Sequence, residues 1–368
     1  MNVRRSLATL LFAAVAGASL VRANEAPQIR IEPAQPTVGK ALRVDVDAAW
    51  SDTCPPRFES AAIDGFDITV RAVRDAGPCT GDATPYRVSA GVTEAQALRP
   101  TREGVYRVRY EVRNGARGEP ELHGFRLLQV GDGEDAGFVP ETGFWWPELG
   151  GEFGRAGPGI GVQIEVQSGT VSVSALGYGP DNRAGWFFGV GALDGRTAHL
   201  DMSLLDGGAG PFEAYSPPKT MQAVGHAELE VISPSRAVLW FVRAQGAGRA
   251  VRVEPMSIVR FSFAQEPGEA LIGRWLIVPE SDDGTAPRRI AFTRIERRAG
   301  ELALRDASGE HALLCESPAS LPNSPPGLCR LESASSSEAS VEFTDVGLQQ
   351  MRGWDGAGRR MLAFRIEP

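Results

Sequence analysis

Short runs in which hydrophobic and polar residues alternate occur along nearly the whole chain. Clear examples are Ala41–Val46, Val105–Val112, Val162–Val166, Thr170–Ser174 and Ile290–Ile295. Because successive side chains of a β-strand point to opposite faces of its sheet, this period of two predicts half-buried strands. The runs are separated by Asp-Gly or Asn-Gly pairs, which suit tight hairpin turns, at positions 64–65, 114–115, 132–133, 194–195, 206–207, 283–284 and 355–356. The pattern therefore predicts an all-β protein.

Helical segments are scarce in this pattern. The 43 glycines and 26 prolines leave little room for long helices. The best helical candidates are Thr93–Leu98 and Leu348–Arg352, both short, and either could equally be a loop.

A small acidic segment, Gly131–Gly137, divides the chain. It has no apolar anchor residues and is typical of a linker, while a calcium loop is disfavoured because its acids do not match the EF-hand spacing. Upstream, about seven short strands fit the length of an immunoglobulin-like β-sandwich. The predicted organisation is a signal peptide at 1–23, this sandwich at 24–131, the linker at 132–137, and two β-barrel-like copies at 138–267 and 268–368.

The two downstream copies are predicted from a weak internal repeat. Gly143-Phe-Trp145 and Gly273-Arg-Trp275 open the copies and lie 130 positions apart. Ile164-Glu165 followed by Gly169 matches Ile295-Glu296 followed by Gly300, at an offset of 131. Each copy has room for about eight strands, enough for a small antiparallel barrel or sandwich. One larger barrel built from both halves is the alternative.

The first residues have the pattern of a secretory signal peptide. Arg4 and Arg5 precede an apolar run, Leu7–Ala18, that is too short to span a bilayer as an anchor. The small residues of Val21-Arg22-Ala23 predict cleavage after Ala23, with Ala18 as the alternative. No later stretch reaches 18 consecutive apolar residues, so we expect a periplasmic or secreted protein that does not span a membrane after cleavage.

The charge of the chain argues against some classes of partner. Removing the signal peptide takes away Arg4, Arg5 and Arg22, so the net charge of −8 becomes −11. Such an acidic protein would be repelled by nucleic-acid phosphates and by anionic lipids. We therefore expect no nucleic-acid partner.

Four cysteines, an even number in an exported chain, predict disulfides. Of the three possible pairings we favour Cys54–Cys79 and Cys315–Cys329, because each pair lies within one predicted domain. A metal site at these cysteines is disfavoured, since no Cys-x-x-Cys pair occurs and no histidine adjoins a cysteine.

The first copy resembles a module of uncharacterised exported proteobacterial proteins. The motif runs through Gly143-Phe-Trp145-Trp146-Pro147, Gly159-Ile-Gly161-Val-Gln163, and Tyr178 followed by Gly185-Trp186-Phe187. In the N-terminal segment, Cys54-Pro-Pro and Thr84-Pro-Tyr86 resemble domains of similar proteins. The second copy departs strongly from the motif. The resemblance implies an exported β-protein and carries no known activity.

Catalytic motifs are lacking in the sequence. There is no Gly-x-Ser-x-Gly, no His-Glu-x-x-His, no Walker loop and no dinucleotide fingerprint, so no catalytic residue and no cofactor is predicted. His226, Glu228 and Glu230 would share one face of a strand. We interpret that face as solvated, with a metal or acid–base cluster as the alternative. Glu165 and Glu296 match between the copies but would lie in separate barrels, which disfavours a glycosidase pair.

Aromatic residues concentrated in the first copy are the best candidates for a binding site. Neighbouring strand residues face opposite ways, so Trp145 and Trp146 cannot both lie in one core. The predicted binding residues are Trp146, Tyr178, Trp186 and Phe187. The alternative is that the outward rings are covered by a loop or by the neighbouring domain.

These observations favour an exported, noncatalytic binding or interaction protein of the bacterial cell envelope. Its partner would be an unknown envelope protein or a glycan. The alternatives are a structural envelope protein whose domains only space and dock, and a carbohydrate-active hydrolase.

Overall fold

The fold is described from a computed structural model of the chain. It describes residues 26–75, 77–131, 139–148, 153, 159–178, 182–210, 212–245, 250–264, 268–281, 286–298, 300–316, 324–335 and 339–367. The predicted signal peptide, 1–23, and the predicted linker, 132–137, lie outside these residues. The described residues form an all-β protein with a two-sheet N-terminal domain and two closed barrels.

The N-terminal domain contains seven strands arranged in two sheets. They are β1 Gln28–Glu32, β2 Arg43–Trp50, β3 Arg57–Asp64, β4 Asp67–Arg74, β5 Thr84–Ala90, β6 Gly104–Asn114 and β7 Pro120–Val130. One sheet has the order β1-β2-β5 and the other β3-β4-β6-β7. The alternating residues Tyr106, Val108 and Tyr110 of β6 are fully buried in the shared core, as the sequence pattern predicts. The β4–β6 pair is parallel, whereas the sheets of an immunoglobulin fold are antiparallel. The two sheets therefore do not confirm the predicted immunoglobulin-like topology.

The first barrel, barrel 1, is an antiparallel meander of eight strands. They are β8 Gly143–Pro147, β9 Gly161–Gln167, β10 Thr170–Tyr178, β11 Ala184–Asp194, β12 Thr197–Asp206, β13 Thr220–Ser233, β14 Arg236–Ala244 and β15 Val251–Arg260. Pairing of β15 with β8 closes it. Inward side chains such as Trp145, Ile164 and Leu200 fill the interior.

The second barrel, barrel 2, repeats this plan. Its strands are β16 Gly273–Pro279, β17 Arg288–Arg298, β18 Glu301–Asp306, β19 His311–Glu316, β20 Cys329–Ser333, β21 Val341–Val346, β22 Gln350–Asp355 and β23 Arg360–Glu367. Pairing of β23 with β16 closes it, so the two halves form two barrels rather than one larger one. Its interior is packed around Trp275, Phe292 and Phe343.

The sequence repeat coincides with equivalent positions in the two barrels. Trp145 and Trp275 lie in the first strand of each barrel, and both are buried. The indole N–H of Trp145 donates to the carbonyl of Glu141 at 3.0 Å, and that of Trp275 to the carbonyl of Leu271 at 2.9 Å. Gly169 and Gly300 both follow the second strand with a positive φ, of 77° and 80°. Each tryptophan therefore anchors the start of its barrel in the same way.

Both predicted disulfides are present. Cys54–Cys79 joins the segments that follow β2 and β4, and Cys315–Cys329 joins directly paired residues of β19 and β20.

The helical prediction at Thr93–Leu98 holds only for a single 3₁₀ turn at Glu94–Gln96, and a second such turn spans Glu269–Leu271. The helical prediction at Leu348–Arg352 is wrong, because this segment enters β22 and pairs with β21 and β23.

The N-terminal domain packs on the outer wall of barrel 1. Phe125 and Leu127 of β7 form an apolar cluster with Val238, Trp240 and Val242 of β14, and the rings of Phe125 and Trp240 stack at 5.2 Å. β7 also lies against β12 and β13, where the backbone of Leu127 and of Phe125 contacts Glu228 and His226.

The two barrels contact each other through polar groups. Both carboxylate oxygens of Glu141 accept backbone N–H groups of barrel 2, from Leu348 at 2.9 Å and from Gln349 at 2.6 Å. Ser235 donates to the carbonyl of Val346, and Arg236 donates to the carbonyls at 325 and 326. No helix among the described residues is long and apolar enough to cross a membrane.

Candidate functional site

The tryptophan pair at the start of barrel 1 splits between interior and exterior, as the alternation predicts. Trp145 is fully buried inside, while Trp146 is half-buried on the outer wall. There its ring lies 6.0 Å from those of Phe144 and Phe261. Trp146 is thus part of an outer aromatic cluster.

Trp186 belongs to a row of apolar side chains that crosses four neighbouring strands. Strand register places Leu176 of β10 opposite Trp186 of β11, Trp186 opposite Leu205 of β12, and Leu205 opposite Met221 of β13. We call these four residues the apolar row. Leu176 is 53% exposed, Trp186 48% and Met221 75%, so the row is on the surface.

The apolar row continues toward the cluster around Trp146. Gly161 of β9 pairs with Leu176, and the ring of Phe144 covers Gly161 so closely that an added Cβ would lie 2.6 Å from the Phe144 Cζ atom. A glycine is therefore required for Phe144 to lie here. Phe144 thereby connects the cluster around Trp146 with the apolar row that contains Trp186, on one continuous part of the outer wall.

The other two predicted binding residues differ from each other. Tyr178 is exposed at the end of β10, with its ring over Gly159. Phe187 packs against the barrel interior, so it does not contribute to the outer surface. Sequence reasoning had not selected Phe212 and Tyr215, which are almost fully exposed in the connection between β12 and β13, next to the strand that carries Met221.

A group of polar side chains lies on the same outer wall, where β12 and β13 meet the N-terminal domain. Register pairs His199 with Glu228 and Asp201 with His226. Residues two apart on a strand share a face, so these four side chains form a square patch, which we call the junction cluster. A β-bulge in β13, opposite Met202 and Ser203 of β12, keeps both this cluster and the apolar row on the outer face.

Glu228 is the centre of the junction cluster. Its Oε1 atom lies 2.6 Å from His199 Nδ1 and 3.6 Å from His226 Nε2. Its Oε2 atom accepts the backbone N–H of Leu127 in β7 at 3.3 Å. His226 Nε2 lies 3.2 Å from the carbonyl oxygen of Phe125, also in β7. Both domains therefore contribute to the environment of this carboxylate.

The interpretation of this strand face as solvated is wrong. Glu228 is 1% exposed, and Glu230 accepts the indole N–H of Trp240 at 3.0 Å. The N-terminal domain covers the face, which no local pattern around His226 indicates. The sequence did place His226, Glu228 and Glu230 on one face, and the structure adds His199 and Asp201 from the neighbouring strand.

The two histidines of the cluster have opposite pKa shifts. Burial by itself lowers the pKa of His199, but hydrogen bonds to Asp201 and Glu228 outweigh it and raise the pKa to about 9. Burial lowers the pKa of His226 below its usual value. At neutral pH, His199 is therefore the charged partner of Glu228.

A groove of about 620 Å³ opens beside the cluster, lined by Gln28, Arg126, His199, His226 and Glu228 among others. A smaller one of about 300 Å³ is also lined by Arg126, His199 and Glu228. Arg126 donates to the carbonyl of Ile29 at 2.6 Å. The cluster is thus reachable from solvent although its central carboxylate is buried.

The matched acids of the two copies are not brought together. Glu165 lies in β9 of barrel 1 beside Gln163, and Glu296 lies in β17 of barrel 2, where it accepts a hydrogen bond from Arg305. They form no carboxylate pair of the kind a glycosidase uses.

Comparison of the sequence with models of protein families finds no match, and comparison with curated proteins finds no significant match either.

Proposed function

We propose that this is an exported, noncatalytic binding protein of the bacterial cell envelope, and that it binds an apolar surface of a partner protein through the apolar row of barrel 1. The observation that carries the proposal is the row itself: Leu176, Trp186, Leu205 and Met221 pair side by side across four strands. Three of the four are exposed.

The composition of the row differs from that expected of a solvated barrel wall. Outward positions of an antiparallel sheet that faces water are usually polar. The next outward row follows this rule in part, with Ser174 and Ser203 on either side of Phe188. A contiguous exposed apolar patch is a typical mark of an interaction site.

A protein partner fits the row better than a glycan does. Sugar sites combine an aromatic platform with polar groups that fix the hydroxyls. The row instead presents aliphatic and thioether side chains beside one indole, and the exposed rings of Phe212 and Tyr215 lie in the connection that leads into the strand of Met221. Loops with exposed rings beside a rigid strand scaffold are common in binding surfaces.

Export is supported by the disulfides and by the N-terminal pattern. Two disulfides are typical of chains that fold outside the reducing cytosol. The basic and apolar run at positions 4–18 has the form of a signal peptide. The periplasm or the cell exterior is therefore the proposed location.

The test compares two tryptophans of similar exposure. A photo-cross-linking residue is placed at position 186 or, as the matched control, at 354 in barrel 2, where Trp354 is 44% exposed. After irradiation in native cell envelopes, position 186 should give one defined adduct that position 354 does not give. Purified Trp186→Ala protein should compete for the adduct at least tenfold less well than purified Trp354→Ala protein.

Both substitutions should leave the unfolding free energy within about 1 kcal/mol, because they are on the surface. Equal cross-linking at the two positions, or equal competition by the two variants, would contradict the proposal. A loss of several kcal/mol in Trp186→Ala would instead show that the row serves packing.

A further inference from the structure

The junction cluster brings together the side chains that borderline transition metals prefer. We propose that His199, His226 and Glu228 bind one divalent ion of the Zn²⁺ class at the junction of barrel 1 and the N-terminal domain. One donor atom of each residue lies within 4.8 Å of the others. Imidazole nitrogen and carboxylate oxygen are the usual zinc ligands besides thiolate. The site is independent of the apolar row.

The distances suit a shared ion. Metal–ligand bonds of about 2.0–2.1 Å separate the donor atoms of a tetrahedral site by about 3.3 Å. His226 Nε2 and Glu228 Oε1 already lie 3.6 Å apart. His199 Nδ1 lies 2.6 Å from the same oxygen, in a hydrogen bond whose proton the ion would replace. Only a small outward movement of the His199 ring is then needed.

The groups around the three donors fit the usual outer contacts of a metal site. Ligating histidines commonly donate their second ring N–H to a carboxylate, and ligating carboxylates are themselves hydrogen-bonded. Here His199 Nε2 lies 3.5 Å from Asp201 Oδ1, so its Nδ1 faces the site. The Leu127 N–H holds Glu228 Oε2 at 3.3 Å, which leaves Oε1 for the ion.

The strand register makes this arrangement rigid. His199 and Glu228 are directly paired on β12 and β13, and His226 is two residues before Glu228 on the same face. Three donors on two hydrogen-bonded strands keep their spacing without help from a flexible loop. The groove of about 620 Å³ beside them gives an ion a path to the site and room for a water ligand.

The site would also join two domains. Its central carboxylate accepts the N–H of Leu127 in β7. His226 Nε2 lies 3.2 Å from the carbonyl oxygen of Phe125, also in β7, and the proton between these two atoms would be released when the nitrogen binds the ion. An ion that binds this folded arrangement but not the unfolded chain stabilises the folded state. We therefore expect metal binding to raise the melting temperature of the protein.

The experiment uses the untagged, full-length mature protein after treatment with EDTA. Calorimetric titration with Zn²⁺ should give one ion per chain, and Co²⁺ should give visible absorption bands of a four- or five-coordinate site. His226→Ala and Glu228→Gln should remove this binding. Asp201→Asn should weaken it by roughly tenfold, as the loss of an outer partner does.

His311→Gln is the matched control. His311 Nδ1 lies 3.2 Å from Asp306 Oδ2 in barrel 2, a histidine–carboxylate contact with one histidine only, and its loss should leave the stoichiometry unchanged. Absence of stoichiometric Zn²⁺ binding by the wild-type protein would overturn the proposal whether or not the variants fold. So would undiminished binding by folded His226→Ala protein. Trp186→Ala should bind the ion normally, which separates this test from that of the partner surface.

Discussion

At the scale of single residues, histidines that look alike in the sequence have very different surroundings. His123 is 4% exposed, and its ring lies 5.4 Å from that of Trp50. Burial lowers its pKa to about 4, whereas hydrogen bonds to two carboxylates raise that of His199 to about 9. The state of each histidine here is decided by its surroundings in the fold: burial beside Trp50 of β2 for His123, and contacts with Asp201 of the same strand and Glu228 of the paired strand for His199.

The buried His123 should make the N-terminal domain sensitive to acid. Its folded-state pKa of about 4 lies below the ordinary value of 6.5, so between these pH values the unfolded chain binds the proton more tightly. Its contribution is therefore fully present above pH 6.5 and is lost as the pH falls toward 4. At 1.36 kcal/mol per pKa unit, the loss is at most about 3 kcal/mol.

Urea unfolding of wild-type and His123→Gln protein at pH 7, 5.5 and 4 tests this prediction. At pH 7 the unfolding free energy of the variant should be lower than or equal to that of the wild type. As the pH falls, the variant should lose less unfolding free energy than the wild type, so any stability advantage of the wild type should shrink. Titration of carboxylates affects both proteins alike and cancels in that difference. A difference that stays constant from pH 7 to pH 4 would rule the prediction out.

At the scale of strands, the bulge in β13, where it pairs with β12, determines which side chains reach the outer wall. Met202 pairs with Gly225, but Ser203 pairs with Ala223, so Val224 is the extra residue. Gly225 has a φ of +124°, and an added Cβ would lie 2.1 Å from the carbonyl oxygen of Val242. Only glycine fits there without displacing β14.

Gly225→Ala should therefore destabilise the protein more than an alanine at another glycine with positive φ. Gly169, with a φ of +77° in the turn after β9, has nothing within 4 Å of an added Cβ and is the matched control. Gly169→Ala should cost about 1 kcal/mol from backbone strain alone. Gly225→Ala should cost clearly more, because β13 and β14 must also separate. Equal shifts of the denaturant midpoint would show that the carbonyl contact is not limiting.

Strand-level features differed in how far the sequence could predict them. The alternating run Val105–Val112 lies within β6, because one buried face is enough to impose a period of two. Leu348–Arg352 does not form a helix, since pairing with β21 and β23 overrides a weak local preference. The pairing of His199 with Glu228 was out of reach, because the long connection 207–219 does not set the register of β12 against β13.

At the scale of the whole molecule, the repeat predicted two similar units but not how they are assembled. Each barrel starts with a glycine and, two residues later, a buried tryptophan, in Gly143-Phe-Trp145 and Gly273-Arg-Trp275. The repeat is visible in the sequence because both barrels need these two residues at their start. The contacts between units involve residues that the repeat does not share. Glu141 in front of barrel 1 and Phe125 in β7 carry no local signal of their role, since their partners are more than a hundred positions away.

The contact of Glu141 with barrel 2 should make the two barrels unfold together. One carboxylate oxygen accepts the N–H groups of Gln349 and Gln350, at 2.6 and 3.2 Å, and the other that of Leu348, at 2.9 Å. In Glu141→Gln an amide NH₂ replaces one of these acceptors and must face a backbone donor. Hydrogen bonds to charged groups contribute about 1.5–3 kcal/mol each, so the loss should be on the order of 2–3 kcal/mol or more.

Differential scanning calorimetry measures both the size of this effect and its location. Wild-type barrels should melt in one transition, whereas Glu141→Gln should lower the melting temperature and separate a transition of barrel 2 from that of barrel 1. Glu280→Gln is the control, because Glu280 pairs with Arg352 and Arg360 inside barrel 2 and does not cross the contact. It should shift the barrel 2 melting slightly without splitting the transition. If Glu141→Gln and Glu280→Gln gave the same single transition, the barrels would be held together by other contacts, such as those of Ser235 and Arg236.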